Sequence, residues 1–503
     1  MPLIKPERVL IIDIDGLRAD VYHRALKQGA VPTLQRITHG GTHPTVHHVS
    51  AASVAPSITF AAQASIFTGA HPAEHLVSGN ECFDRLGRIS SGRPRHFGFD
   101  VGDTLALDDA IDVFTNDLAD RLLNPQTPTL YETAARQGKQ SLVAYNMYAR
   151  GAQTVVRPGM VDLARFTKGK GVLGLEAGAY DAKMLDELSR ALRKASPAPD
   201  LITAYFMGLD HHSHVYGPEA QAEYLTTVID PQIGRLLDTL AELRLLAGTL
   251  IVLVSDHGQS ATPGDDRHSI RLGFPFDMEL TPLFKALGLD LHDQPGEDPA
   301  VDAAVTLNGG MAHVYLRHRH DSWHAFPRYE EDVLRVAQAF YEMHQSGKYR
   351  EELKGALELI LVRDAESHGW SAPYRVYSGD GQTVPIEEWL AANEPLPYVD
   401  APARIAQASS SMSGDLLLCA RSADGFYFGA PGLKGVHGSL HRADSAAVLS
   451  FAMPGITRDE TVSLIDKVGE LIDERCRQEG GRQPSIVDMA YVLRGLWLGD
   501  PTP

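Results

Sequence analysis

Residues 9–16 read VLIIDIDG, and this stretch decides the fold class. Four consecutive apolar residues are typical of a strand that is buried on both faces of a parallel sheet. The run ends in two carboxylates, Asp13 and Asp15, and in a glycine that permits a sharp turn. In doubly wound α/β sheets, ligands bind at the carboxyl ends of the strands. The stretch therefore predicts a central strand with a polar site at its end.

Similar short apolar runs recur at residues 141–145, 201–207, 250–255, 416–420 and 447–451. Stretches with helical spacing of apolar residues lie between or after these runs, as at residues 219–244 and 460–474. Strands that alternate with helices predict an α/β fold in which helices cover both faces of a mostly parallel sheet.

Composition narrows the class of partner. A formal net charge of −18 argues against binding to a nucleic-acid polymer or an anionic membrane, which would need a basic face. Three widely spaced cysteines predict neither a disulfide framework nor a cysteine-based metal site. Because no signal-peptide pattern or membrane-spanning apolar stretch is present, we expect a soluble cytoplasmic protein. The sequence is compatible with a homodimer.

Four further fragments place polar residues after an apolar run or in a loop. They are APSITF with Thr59, LDHHSH with Asp210 and His214, VSDHG with Asp256 and His257, and GVHGS with His437. Together with Asp15 they offer three carboxylates, three imidazoles and one hydroxyl. This is the ligand count for two metal ions of the zinc type, with a nucleophile between them.

Each fragment alone has a simpler explanation. Thr59 could merely cap a helix, although the helix dipole there would also favour an ionised hydroxyl and phosphate oxygens. Asp13 points the same way as Asp15 in an extended strand, so spacing leaves both open as ligands. His211 and His212 likewise compete with His214.

The joint pattern resembles the alkaline phosphatase superfamily, most closely its type I phosphodiesterase/nucleotide pyrophosphatase and phosphonoacetate hydrolase branch. The matching stretches are IIDIDGLRAD, APSITFAAQASIFTGAHPAEH, YFMGLDHHSHVYGP, VSDHGQ and GVHGS. The resemblance implies an alkaline phosphatase-like fold, a mostly parallel sheet between helices. It also implies two Zn²⁺ ions as cofactors, with Mn²⁺ or other divalent ions as alternatives.

The resemblance implies two ligand sets of three side chains each. The first zinc ion would be held by Asp210, His214 and His437. The second, which the nucleophile Thr59 would also touch, would be held by Asp15, Asp256 and His257. The family pattern thereby selects Asp15 over Asp13, and His214 over the neighbouring histidines.

Four residues are candidates for substrate binding: Asn80, Phe60, Tyr205 and Gln63. Phe60 and Tyr205 match positions that sandwich the base in nucleotide-cleaving relatives, and core packing is the alternative for both. Asn80 matches an asparagine of the family. Relatives usually carry a further asparagine close after the threonine, and here Gln63 or Asn80 would replace it.

These assignments predict a two-metal phosphoesterase that hydrolyses phosphodiester or pyrophosphate bonds through a phospho-threonine intermediate. No Arg or Lys lies within the ten residues after Thr59, which favours a diester because monoesterases usually clamp the dianion with a cation. Arg18, Arg267 and Lys434 lie near motif loops and could still supply such a clamp. The alternatives are a phosphonoacetate or phosphonate hydrolase, a phosphomonoesterase, and a non-catalytic metal-binding recognition protein.

The composition changes between residues 269 and 402. An amphipathic stretch at residues 329–346 and β-like pieces at residues 312–316 and 357–362 predict an α+β unit. We interpret residues 269–402 as an inserted cap that contacts substrate. Residues 1–268 and 403–503 would then form the catalytic core, in line with a chain too long for one simple core.

Overall fold

A computed structural model describes residues 5–39, 46–99, 107–167, 175–272, 279–292, 295–297 and 300–500. Its strands are β1 (Arg8–Ile14), β2 (Val46–Ala52), β3 (Glu81–Asp84), β4 (Arg95–Gly98), β5 (Ser141–Ala144), β6 (Thr154–Val156), β7 (Leu201–Phe206), β8 (Thr249–Val254), β9 (Ser260–Ala261), β10 (Ser269–Ile270), β11 (Leu291–His292), β12 (Ala303–Asn308), β13 (Met311–Leu316), β14 (Leu357–Arg363), β15 (Tyr374–Gly379), β16 (Gln382–Val384), β17 (Leu416–Ala420), β18 (Tyr427–Phe428), β19 (Gly435–Val436) and β20 (Ala446–Ala452). Its α-helices are α1 (Ala19–Gln28), α2 (Pro32–His39), α3 (Thr59–Thr68), α4 (Pro72–His75), α5 (Leu107–Thr115), α6 (Leu118–Leu122), α7 (Leu130–Arg136), α8 (Met160–Thr167), α9 (Ala177–Lys194), α10 (Gly208–Tyr216), α11 (Gln221–Tyr224), α12 (Asp230–Glu242), α13 (Thr281–Ala286), α14 (Arg335–Ser346), α15 (Ala365–His368), α16 (Ile386–Ala392), α17 (Ala401–Ala406), α18 (Arg442–Ser445), α19 (Arg458–Gln478) and α20 (Asp488–Leu493).

The first sheet has seven strands in the order β2-β20-β8-β1-β7-β5-β6. Strand β1 lies at its centre and pairs in parallel with both β7 and β8. Every residue of β7 and β8 is buried, as expected for parallel strands covered on both faces. Helices α3, α9, α12 and α19 contribute to the same apolar core as these strands. The predicted α/β class with a mostly parallel sheet is confirmed, although β20 pairs antiparallel with both of its neighbours, β8 and β2.

The second sheet also has seven strands, in the order β11-β12-β13-β17-β14-β15-β16. Apart from the short β11–β12 pair, its neighbouring strands are antiparallel. Helix α14 packs on one face in an apolar cluster with Leu416 and Leu418 of β17. The predicted helix at residues 329–346 and the strands at residues 312–316 and 357–362 are confirmed.

Strand β17 corrects one prediction. We expected the apolar run at residues 416–420 in the parallel sheet, but it lies in the second sheet between β13 and β14. Leu416 and Leu418 face the cluster of α14, whereas Leu417 and Cys419 face a second apolar cluster. Because both faces are covered, this antiparallel strand has the same continuous apolar run as a buried parallel one. We propose that the inserted unit extends past residue 402 to include β17.

The described helices include none that is both long enough and apolar enough to cross a bilayer. Cys82, Cys419 and Cys476 are free thiols, all buried. The cytoplasmic location and the homodimer stay predictions.

Candidate active site

The carboxyl ends of β1, β7 and β8 bring three carboxylates to one edge of the first sheet. Asp15 follows β1, Asp210 lies in the first turn of α10 after β7, and Asp256 follows β8. Gly16 turns the chain with a φ of 69°, and its N–H donates to Asp256 Oδ1 at 3.0 Å. A Cβ at this position would lie 2.7 Å from Asp210 Oδ1. Glycine is therefore required for the close approach of the two loops.

Asp210, His214 and His437 form one group whose ligand atoms lie within 4.8 Å of one another; we call it the histidine-rich group. His214 Nε2 lies 3.0 Å from Asp210 Oδ2, and His437 Nε2 lies 3.7 Å from Asp210 Oδ1. Nδ1 of His214 donates to the Gly435 carbonyl at 2.7 Å, and Nδ1 of His437 donates to the Ser57 carbonyl at 3.1 Å. Nδ1 is thereby engaged on both rings, so Nε2 is the ring atom that faces Asp210 and would face a cation.

Asp15, Asp256 and His257 form the neighbouring carboxylate-rich group. His257 Nε2 lies 3.5 Å from Asp15 Oδ1 and 3.3 Å from Asp256 Oδ2. Asp210 also comes near, since ligand atoms of Asp15, Asp210 and His257 all lie within 4.8 Å of one another. Asp15 Oδ1 and Asp256 Oδ2 are buried, and neither accepts a hydrogen bond from the residues that the structure describes. Buried carboxylate oxygens without donors are costly, so this group fits a cation.

The two groups differ in the pKa of their carboxyls. Burial and repulsion from Asp256 raise the pKa of Asp15 well above its usual range. Burial also raises the pKa of Asp256 to about 6, although the N–H of Gly16 acts against this shift. Burial acts on Asp210 in the same direction, but the adjacent His214 ring holds the pKa of that carboxyl well below its usual range.

The buried imidazoles are neutral at physiological pH. Burial lowers the pKa of His257 to about 4 and that of His437 to about 3. A neutral imidazole is the form that binds a metal ion. His257 and His437 are thus in the protonation state that metal binding requires.

Thr59 is the first residue of α3, and its Oγ1 lies 3.1 Å from His257 Nε2. Nδ1 of His257 donates to the Gly258 carbonyl at 2.9 Å, so Nε2 accepts a hydrogen bond from the Thr59 hydroxyl. The N–H of Phe60 donates to Asn80 Oδ1 at 2.9 Å, which anchors the first turn of the helix. The hydroxyl thus lies at the positive end of a buried helix and beside the carboxylate-rich group.

The four predicted substrate-binding residues differ in burial and in the hydrogen bonds that they make. Phe60 is 7% exposed and stacks on Phe99 with ring centroids 4.7 Å apart. Asn80 is half-buried and uses its carbonyl oxygen for α3, which leaves its amino group for a ligand. Tyr205 and Gln63 are fully buried, and the Tyr205 hydroxyl donates to Asp15. The polar atoms of Tyr205 and Gln63 bond to residues beneath the site, and substrate contact by these two residues stays a prediction.

Asp13 lies under the site and faces two amides. Its oxygens accept from Gln63 Nε2 at 3.3 Å and from Asn146 Nδ2 at 3.4 Å, and Asn146 Nδ2 also donates to Gln63 Oε1 at 2.8 Å. The position of Asp13 therefore agrees with the choice of Asp15 as the ligand. Asn146 carries no signal in the sequence, since nothing near it in the chain belongs to a motif.

Gln259 is a supporting residue that the sequence reasoning missed. It is fully buried, and its Nε2 donates to the carboxylate of Asp210 and to the Asp210 carbonyl, the latter at 3.2 Å. The signal was present, because Gln259 is the last residue of the quoted VSDHGQ stretch. Arg18, a candidate clamp, is instead held by Asp20 at 2.8 Å and by the Gln259 carbonyl at 3.3 Å.

Comparisons with known proteins agree with this geometry. A family model described as type I phosphodiesterase / nucleotide pyrophosphatase matches residues 9–378. Human bis(5'-adenosyl)-triphosphatase ENPP4 is 23% identical over 262 residues, which cover 52% of this chain and 49% of that protein. Human ectonucleotide pyrophosphatase/phosphodiesterase family member 1 is 23% identical over 254 residues, covering 50% and 23% respectively. The chain spans about half, or less, of the length of these curated relatives.

Solved structures show the same fold. Murine ectonucleotide pyrophosphatase / phosphodiesterase 5 is similar with a TM-score of 0.52 and 14% identity, over 94% of this chain and 95% of that one. An inactive form of the same murine protein in complex with AMP gives a TM-score of 0.54 and 13% identity, over 99% and 96%. The alkaline phosphatase-like fold is thereby confirmed. Because the family model covers well over half of its length, the chain belongs to the type I phosphodiesterase / nucleotide pyrophosphatase family.

Proposed function

We propose that the protein is a metal-dependent hydrolase that cleaves phosphodiester or pyrophosphate bonds by way of a phospho-threonine at Thr59. One observation carries the proposal: Thr59 Oγ1 lies 3.1 Å from His257 Nε2, at the start of a buried helix and beside the two ligand groups. Membership of the family supports the reaction class.

The residues present fit two divalent cations. One buried oxygen each of Asp15 and Asp256 has no donor among the described residues, and the neutral His257 and His437 rings direct Nε2 towards the site. Mixed carboxylate and imidazole donors suit Zn²⁺ best, and Mn²⁺ less well. The histidine-rich group would hold one ion and the carboxylate-rich group the other. Once bound, two such ions stabilise negative charge on the phosphoryl and leaving-group oxygens.

The chain supplies the nucleophile and its orientation. The Thr59 hydroxyl gives its proton to water as Oγ1 bonds to phosphorus, and the bond from phosphorus to the leaving alcohol or phosphate breaks, with the leaving oxygen protonated by water. A second water then attacks the phospho-threonine, the bond between phosphorus and Oγ1 breaks, and a proton from the attacking water restores the Thr59 hydroxyl. The hydrogen bond from Phe60 N to Asn80 holds the first turn of α3 in place. The free amino group of Asn80 is suited to a phosphoryl oxygen.

We propose nucleotide diesters or pyrophosphates as substrates. The solved complex of the murine relative contains AMP, and a human relative is named as a bis(5'-adenosyl)-triphosphatase. The engagement of Arg18 with Asp20 and Gln259 favours a diester, because this cation is not free to clamp a dianion. Phe60, at 7% exposure, offers only a small part of its ring to a base.

The test compares four substrates: a nucleotide p-nitrophenyl ester, bis(p-nitrophenyl) phosphate, p-nitrophenyl phosphate and phosphonoacetate. We expect the nucleotide ester to be hydrolysed fastest by the zinc-loaded protein. A strong preference for the monoester or for phosphonoacetate would overturn the substrate assignment. Full zinc occupancy without turnover of any substrate would favour a recognition role.

The nucleophile is tested with Thr59→Ala. We expect a loss of about 10³-fold or more in kcat with unchanged metal content, because the covalent route is removed. Thr68→Ala is the matched control: Thr68 ends the same helix and donates to the Ala64 carbonyl at 2.6 Å. It should keep its activity. A Thr59→Ala variant that retains most of its activity and its metal would exclude the covalent route.

A further inference from the structure

Arg404 in α17 is a buried cation outside both ligand groups. It is 6% exposed and donates to four backbone carbonyls. The acceptors are Val54 at 2.7 Å, Val399 at 3.1 Å, Ser439 at 3.2 Å and Leu440 at 3.4 Å. One guanidinium thus bonds three segments of the chain that are far apart in sequence.

Two of these segments carry the site. Val54 lies just before the turn that leads into Thr59, and Ser439 and Leu440 follow His437. Nη2 of Arg404 bonds to the first segment and the second at once, through the carbonyls of Val54 and Ser439. The guanidinium therefore fixes the distance between the two loops.

The Ser439 carbonyl is the centre of this connection. It accepts from Ser57 Oγ at 2.8 Å and from Ser445 Oγ at 2.9 Å, in addition to Arg404. The Ser57 carbonyl in turn accepts from His437 Nδ1 at 3.1 Å. The backbone before Thr59, the ligand His437 and Arg404 therefore share one hydrogen-bond network.

The charge of Arg404 is not neutralised by direct contact. Its guanidinium hydrogen bonds within the described part of the chain all go to backbone carbonyls, and no ion pair of Arg404 with a described carboxylate is formed. Burial lowers the pKa of Arg404 to about 10, and the more distant Asp444 and Asp400 act against that shift. The side chain stays protonated at neutral pH, so its bonds to the carbonyls are charge-assisted. Burying a cation without a paired anion is costly, and a neutral apolar residue would avoid that cost.

Packing joins the same two loops to the second sheet. Ala55 and Leu440 belong to one apolar cluster with Leu359 of β14 and with Leu417 and Cys419 of β17. The face of the second sheet opposite α14 thus supports both loops. Helix α17 contributes to the same cluster through Ala401 and Ile405, which flank Arg404.

We infer that Arg404 is a positioning residue that fixes the turn carrying Thr59 relative to the loop carrying His437, with the second sheet as its platform. The inference rests on the proposed function of the site, because it assigns Arg404 a role in holding the nucleophile and one ligand group in register.

The test substitutes Arg404→Met in the full chain and compares it with Arg363→Met. Arg363 is a fully buried arginine that donates to the carbonyls of Trp370, Ser410 and Ser413 and lies 3.7 Å from Asp415, which also pairs with Arg85. Both substitutions remove a buried set of hydrogen bonds and should lower the melting temperature. Only Arg404 bonds to the loops of the site.

Three measurements separate the variants. The first is the zinc affinity of the metal-free protein, where Arg404→Met should weaken one of two sites by about 10-fold or more. The second is hydrogen exchange, which should be faster in peptides covering residues 53–60 and 435–441. The third is turnover of a nucleotide p-nitrophenyl ester, where kcat should fall with little change in KM. Arg363→Met should match the wild type in all three. Equal behaviour of the two variants would overturn the inference.

Ser57→Ala keeps the test decisive if Arg404→Met fails to fold. It removes one hydroxyl donor to the Ser439 carbonyl and should change the same quantities in the same direction, by a smaller factor. An unchanged Ser57→Ala variant would overturn the inference. Failure of the proposed function is distinguishable, because the wild type itself would then bind no zinc or hydrolyse no ester.

Discussion

The histidine-rich and carboxylate-rich groups lie side by side at one sheet edge, yet their charges are balanced differently. Asp210 in the first group has His214 Nε2 at 3.0 Å and also accepts from Gln259. Asp15 and Asp256 in the second group each keep a buried oxygen that accepts no hydrogen bond within the described part of the chain. The pKa of Asp210 is lowered, whereas burial raises the pKa of Asp15 and Asp256.

The difference shows where a cation matters most. The histidine-rich group has internal partners that support its charge without a metal ion. The carboxylate-rich group has two neighbouring carboxyls in a low-dielectric environment, and bringing both into the ionised state requires an external positive charge. Metal binding should therefore be coupled to stability mainly through Asp15 and Asp256.

Among substitutions that compare the two groups, the largest effect is expected from Asp256→Asn, which removes one charge from the carboxylate-rich group. The variant should bind one ion fewer and lose about 10³-fold in kcat/KM, because a Lewis acid contributes several kcal/mol. Asp230→Asn is the control, since Asp230 is a buried carboxylate that accepts from the N–H groups of Thr33 and Leu34. It should lose stability and keep both ions. Normal metal content and activity in Asp256→Asn would remove Asp256 from the ligand set.

A smaller effect is expected from Gln259→Leu on the histidine-rich group. The substitution removes the donor that orients the Asp210 carboxylate, and such supporting bonds contribute about 10- to 100-fold in metal affinity. Competition with a chromogenic chelator should show weakening at one of two sites. Equal weakening of both sites, or of neither, would show that Gln259 does not serve this group specifically.

A buried carboxyl that supports the helix of the histidine-rich group predicts that the stability of the protein depends on pH. Asp181 accepts from the N–H of Gly208 at 3.0 Å, at the start of the helix carrying Asp210, and burial raises its pKa to about 7. The pKa of Asp181 in the folded protein lies above the ordinary value of 3.8. The contribution of Asp181 to the free energy of unfolding is therefore complete at acid pH and is lost as pH rises through about 7.

Denaturant titrations of wild type and Asp181→Asn check this sign. Between about pH 5 and pH 7 the wild type should lose about 2 kcal/mol of unfolding free energy relative to the variant. A constant difference between the two proteins across this range would show that Asp181 does not titrate there.

The smallest expected effect is on the melting temperature of two metal-free variants, which should shift in opposite directions. With a chelator present, Asp256→Asn should raise the melting temperature by about 1–3 °C, because it removes an unfavourable buried charge. Asp210→Asn should lower it by a similar amount, since the favourable contacts of Asp210 depend on its charge. Shifts of the same sign would show that the charges of Asp256 and Asp210 affect the stability of the metal-free protein in the same direction.

The sequence was sufficient to predict the meeting of the ligand groups. The apolar runs before Asp15 and Asp256 predict parallel strands, and the carboxyl ends of such strands meet at one edge of the sheet. The helix beginning near Thr59 was predictable from Pro56 and Ser57 before it and Gly69 after it.

Other features depend on partners distant in the chain. The hydrogen bonds of Tyr205 and Gln63 to Asp15, Asp13 and Asn146 beneath the site were not predictable from the sequence, and substrate contact by these two residues stays a prediction. Local sequence cannot show whether a polar side chain near a motif points to the cleft or to a buried partner. Strand β17 was assigned to the wrong sheet because an antiparallel strand covered on both faces has the same apolar run as a parallel one.

The central claim is that each group holds one cation. Calorimetric titration of the metal-free full chain with zinc, at about pH 7 and in buffers of different ionisation enthalpy, tests it most directly. We expect two equivalents per chain, with proton release on binding because the carboxyls of the carboxylate-rich group must ionise. One equivalent, or none, would contradict it.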